Sequence, residues 1–180
     1  MHTTARAEPS VCRISQLRIT PAKSGAAAGG IGQAIIFTNV GQTSCAMSGY
    51  PGIAALDAQG IQVAQARRQP SRMLGGARGA GRIPVVSLAP GHVASAKIGG
   101  GDASKRSATP CPAYPAFLVT PPGETHSVQM LAGTAGADSP GFQGRVSISV
   151  NSVVPGATGD GRFDLNRCRG RCSDLLRTPF

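Results

Sequence analysis

The sequence predicts an all-β protein, an antiparallel β-sandwich with a C-terminal extension. Three observations lead there. About nine short segments read as strands, several of them alternating apolar and polar residues, turn signals separate them, and no segment carries a convincing helical period. Composition agrees: of 180 residues 25 are Gly and 14 Pro, while charged residues make up 14 %, aromatics 4 %, and Trp is missing. A coiled coil or helical bundle needs far more Glu, Lys and Leu, and a disordered chain does not reach 41 % hydrophobic residues. No apolar run approaches the ~18 residues of a membrane-spanning helix, so the chain is not expected to span a membrane.

Taken in order, residues 12–19 alternate as a half-buried strand, and residues 21–32 read as a small-residue loop. Residues 33–39 form a second strand, with a turn over 40–43. Residues 45–50 form a third, stopped by Pro51 and Gly52, and residues 53–57 a fourth, turning through Ala58-Gln59-Gly60 into 61–64. Residues 67–82 hold five arginines, four glycines and no acid, and read as a mobile basic loop. Strands resume over 83–88 and 92–98, with residues 99–109 as a flexible insertion. Residues 116–120, closed by Pro121-Pro122-Gly123, then 126–131 and 145–150, supply the rest. Phe37, Ile35, Tyr50, Ile53, Leu118 and Ile148 are the expected inward-pointing residues. From residue 156 the alternation stops, which divides the chain into a tail or linker (1–10), a sandwich domain (11–155) and a basic, cysteine-containing extension (156–180).

The five cysteines, at 12, 45, 111, 168 and 172, form no CxxC pair, and His2, His92 and His126 are scattered, so no zinc site is expected. Cysteines spread singly along a strand-rich chain suit disulfides and an oxidising compartment. Residues 1–11 lack the apolar segment of a signal peptide and read as the start of a mature chain whose signal has been removed. The expected location is therefore extracellular or in the cell envelope. A cytoplasmic protein with free thiols is the alternative.

A strand ending in Phe37-Thr38-Asn39-Val40-Gly41, then Cys45, then Gly49-Tyr50-Pro51-Gly52 and an apolar run closed by Asp57, resembles one family closely. It is the domain-of-unknown-function family numbered four-two-three-two, found in actinobacterial secreted proteins and lipoproteins. Ser87-Leu88-Ala89-Pro90-Gly91, the stretch from Phe117 through Pro121-Pro122-Gly123 to Thr125, and residues 146–155 extend the likeness over residues 12–155. The resemblance implies an immunoglobulin-like sandwich outside the cytoplasmic membrane, with no assigned chemistry. Family members usually carry four cysteines; Cys12, Cys45 and Cys111 match the first three, and the fourth is missing from residues 132–144. The resemblance thus implies a Cys12–Cys45 disulfide. For Cys111 the expected partner is Cys168 or Cys172, against a local Cys168–Cys172 bridge that leaves Cys111 reduced.

Chemistry is thin. Ser44 and Ser48 lie in no Gly-x-Ser-x-Gly elbow, so a hydrolase built from a serine, His92 or His126 and Asp57 has no spacing to support it. Asp57 is instead expected to cap its own turn. Glu124 and Asp138 are two loop acids, too few to argue a glycosidase pair. Gly75 to Gly81 lacks the Lys-Ser/Thr of a phosphate loop. Asp160, Asp164 and Asn166 are too sparse for a calcium loop. No catalytic residue, metal or cofactor is expected.

What remains is charge: Lys plus Arg number 18 against 8 Asp plus Glu, for a net +10. Arg67, Arg68, Arg72, Arg78 and Arg82 are the candidate contacts for a polyanion. Too few aromatics are interleaved for a nucleic-acid module, so no specific nucleic acid is expected. The expected role is a non-catalytic, exported or envelope-associated interaction module, whose partner is an envelope component such as an anionic glycan or a protein. A secreted hydrolase or enzyme inhibitor, and a structural envelope spacer, are the alternatives.

Overall fold

A computed structural model describes residues 9–27, 30–69, 82–101, 113–133, 142–143 and 148–160. Cys111, Cys168, Cys172, Arg72 and Arg78 lie outside the described residues, as do Asp138 and the Gly75–Gly81 run. After a 3-10 turn at Ile14–Gln16 come β1 (Leu17–Ala27), β2 (Gly30–Asn39), β3 (Cys45–Ser48), β4 (Gly52–Leu56) and β5 (Gln62–Gln65). They are followed by β6 (Arg67–Arg68), β7 (Val85–Leu88), β8 (Val93–Gly101), β9 (Ala113–Tyr114) and β10 (Ala116–Thr120). The last four are β11 (Val128–Leu131), β12 (Phe142–Gln143), β13 (Ile148–Val150) and β14 (Val154–Pro155).

The fold is all-β. Six strands form one sheet, β1-β2-β8-β13-β6 with β14 also on β8, and four form another, β11-β10-β4-β5; β3–β7 and β9–β12 are two-stranded. Strand pairing is antiparallel except that β6 runs parallel to β13. Both larger sheets send side chains into one hydrophobic cluster. The inward row of β2 is Ile31, Gln33, Ile35, Phe37 and Asn39, as the period of two requires. Phe37 stands opposite Ala94 and Ile35 opposite Ala96 on β8, so large residues meet small ones. From the second sheet come Ile53, Ala55, Phe117, Val119 and Met130.

Several boundaries differ from the sequence expectation, each for a physical reason. The opening segment is not one strand: Gln16 N–H bonds back to Arg13 C=O, and the strand proper starts at Leu17. It then runs through Pro21 to Ala27, where a loop was expected. Being at the sheet edge it tolerates a proline, and an irregularity between Pro21 and Ser24 absorbs the misfit. Strand β8 continues to Gly101 rather than ending at Ile98, because its glycines pair with Gly30, Ile31 and Gly32 of β2. Arg67 and Arg68 lie on a strand, not in a loop, held by pairing with Ser149 and Val150 and by Gln69 N–H to Val150 C=O at 2.9 Å. Of the expected core, Phe37, Ile35, Ile53 and Ile148 are fully buried. Leu118 is half-buried, since Phe117 and Val119 take the inward positions of β10, and Tyr50 is half-buried in the turn after β3.

Candidate functional site

The residues that make the sequence distinctive are engaged in building one end of the fold. Asn39, fully buried at the end of β2, donates from Nδ2 to Thr43 C=O and to Leu88 C=O, both at 2.9 Å. Its Oδ1 accepts Gly41 N–H at 2.9 Å. An amide has donors and an acceptor on one rigid plane, so a single Asn here ties the 40–44 turn to the end of β7. Its backbone does the same with the next turn, taking His92 C=O and giving its own C=O to Gly91 N–H. The Phe-Thr-Asn-x-Gly motif is thereby a structural clasp.

Cys12 and Cys45 lie beside it and form a disulfide, with Cα atoms 4.8 Å apart and both side chains buried. Strand-like contacts flank the bond: Cys12 N–H donates to Ala46 C=O at 3.0 Å, and Ala46 N–H to Ser10 C=O at 2.8 Å. The Pro121-Pro122-Gly123-Glu124 turn closes the same end. Gly123 has φ +82°, and a Cβ there would stand 2.7 Å from Val11 Cγ1, so both backbone and space call for glycine. Glu124, expected as a loop acid, is nearly buried: its carboxylate accepts Ile14 N–H at 3.1 Å and lies 3.9 Å from Arg13 Nη1. The carboxylate fixes the 3-10 turn rather than facing a substrate.

A second polar network was invisible in the sequence. Residues 156–160, where the C-terminal extension was expected to begin, are seated on β8. Ser95 Oγ donates to Gly156 C=O at 2.6 Å and accepts Gly159 N–H at 2.8 Å. Asn151 Nδ2 donates to Gly159 C=O at 2.6 Å while its Oδ1 accepts Lys97 N–H at 2.6 Å. Lys97 Nζ lies 3.6 Å from Asp160 Oδ1. Gly159 passes so close that a Cβ would come within 2.8 Å of Lys97 Cβ.

The other described acids and histidines form no cluster. Asp57 Oδ1 accepts Gln59 N–H and Ile61 N–H at 3.0 and 2.8 Å, the turn cap expected of it. His126 Nδ1 meets Thr125 Oγ1 at 3.4 Å. Among the described residues no three His, Cys, Asp or Glu side chains are grouped to hold a metal ion, and no helix is long and apolar enough to cross a membrane.

Of the five candidate arginines, Arg67, Arg68 and Arg82 are described, and all three are exposed. Among the described residues no acid pairs with them; the two ion pairs found are Arg13–Glu124 and Lys97–Asp160. From residue 58 to residue 101 the chain itself holds no Asp or Glu, so every charged residue that β5 to β8 contribute is basic; Lys97 of β8 draws its carboxylate, Asp160, from the loop seated on that strand.

Fold and motifs together define an all-β domain clasped at one end by a buried asparagine and a disulfide. The chain matches the family described as Domain of unknown function (DUF4232) over residues 12–152, most of its length, and belongs to that family. No curated protein and no solved structure shows a significant match. The seated loop at 156–160 lies just beyond the family match.

Proposed function

We propose that the chain is a non-catalytic interaction module, exported to the cell envelope or beyond, that holds anionic envelope material against its arginine-bearing surface. The immunoglobulin-like sandwich implied by the family resemblance belongs to this reading, with support from two sheets that share one core. The observation that carries the function is that Arg67, Arg68 and Arg82 are exposed and, among the described residues, meet no acidic partner, within a run, 58–101, that itself holds no acid. Guanidinium groups without a carboxylate partner are free to engage phosphate, sulfate or carboxylate groups in two-point contacts. The reading as a binder rather than an enzyme is supported by what the family motif does. Asn39, Gly123 and Glu124 are occupied in holding the fold together. The test is retention of the protein on a heparin column. The triple variant R67S/R68S/R82S should elute at clearly lower salt than the parent, and equal retention would refute the proposal.

A further inference from the structure

The clasped end carries a surface that strand register assembles from residues far apart in sequence. Val11 bridges Ala46 of β3, and Ala46 pairs with Ser87 of β7, while Ser48 pairs with Val85. Paired residues share a face of a ladder. Cys45 and Met47, with Val86 and Leu88, point into the core, so Val11, Ala46, Ser48, Val85 and Ser87 point outward together. On this face Val85 is 75 % exposed and Val11 49 %; Ile83, two residues before Val85, is 46 % exposed. No member of the face is charged, yet it lies in a protein of net charge +10 and Arg82 adjoins it. β7 itself lies inside the acid-free run.

Exposed aliphatics beside an arginine that meets no acid among the described residues, with Glu124 at that end nearly buried and turned to Ile14 N–H, match the chemistry of an anionic lipid surface. Aliphatic side chains enter the headgroup boundary while the cations meet lipid phosphate. A hydrophilic glycan would use the arginines and gain nothing from Val85. A second copy of the chain fits poorly, because a stable pairing buries about 800 Å2 on each partner and three aliphatic side chains expose far less. We infer that the outward face of β3–β7, with Val11 and Val85 as its apolar contacts and the exposed Ile83 and Arg82 in the segment that leads into β7, rests on an anionic membrane surface. This inference rests on the polyanion reading above, which it narrows to lipid.

The test is co-sedimentation with vesicles of phosphatidylcholine containing one-third phosphatidylglycerol, run beside heparin retention and thermal melting. The variant I83S/V85S keeps the charge and alters only exposed positions. It should lose at least about tenfold in vesicle partitioning, with heparin retention and melting unchanged. Vesicle partitioning equal to the parent's would overturn the inference. So would a parent protein that binds heparin but not these vesicles, a result that leaves the polyanion reading standing. A parent dimer in sedimentation that I83S/V85S breaks would reassign the face to self-association. Failure of the parent to bind either probe would sink both readings.

Discussion

Replacing Asn39 by alanine tests whether the family motif is a clasp. The substitution removes three side-chain hydrogen bonds, to Thr43 C=O, Leu88 C=O and from Gly41 N–H, in a residue with no solvent exposure. A typical intramolecular hydrogen bond contributes about 1 kcal/mol, and a buried group left without its partner costs about 1–3 kcal/mol. The Leu88 bond is the buried one of the three. Two bonds of ordinary value plus one orphaned buried carbonyl give a loss of about 3–5 kcal/mol. In urea, with a slope of about 2 kcal/mol per molar, the unfolding midpoint should fall by roughly 1.5–2.5 M at unchanged slope. Asn39→Asp separates hydrogen bonding from packing. A carboxylate there faces two carbonyl oxygens, so its protonated form is favoured and its folded pKa rises above the unfolded ~3.9. A raised carboxyl pKa imposes a penalty that is absent below the unfolded value and grows as pH rises through and above it. N39D should therefore be less destabilised, relative to the parent, at pH 4 than at pH 7. A midpoint for N39A within about 0.3 M of the parent's, or an N39D deficit independent of pH, would refute the clasp.

Two further outcomes follow from the same end of the molecule and from β8. Replacing Cys12 and Cys45 together by alanine opens a loop of sequence separation 33 and should lower stability by roughly 3–4 kcal/mol in the chain-entropy account; a urea midpoint matching the oxidised parent's would contradict it. A chain ending at Pro155 leaves the Ser95 hydroxyl and the Asn151 amide without their Gly156 and Gly159 partners. It should be about 2–3 kcal/mol less stable than one ending at Asp160, and equal melting of the two would show that the seated loop adds nothing.

How much of this was legible in the sequence follows from which forces are local. Strands β4 and β10 were readable because each is a short apolar run with proline and glycine turn signals beside it. The Asn39 motif stood out, but its role depends on Leu88, some fifty residues away, which no local pattern reveals. β1 was missed beyond Pro21 because an edge strand can hold a proline that a central strand would reject. Arg67 and Arg68 read as loop because charge and the glycines that follow suggest solvent, whereas the parallel pairing with β13 is a long-range fact. Asp57 was read correctly, since a turn cap is set by the residues next to it. Val11, Ile83 and Val85 are ordinary aliphatics in the sequence, and only register gathers Val11 and Val85 onto one face. The basic character was legible throughout, as was the lack of acids between residues 58 and 101, whereas the pairing of Lys97 with Asp160 is a long-range contact.

Whether the exposed arginines Arg67, Arg68 and Arg82 hold an anionic partner, as proposed, is measured most directly by the salt dependence of polyanion binding. Affinity for heparin should be measured for the parent and for R67S/R68S/R82S between low and physiological salt. Each cation in contact displaces about one counterion, so the slope of log affinity against log salt should become shallower by up to about three in the variant. Parallel slopes and equal affinities for the two proteins would contradict the account.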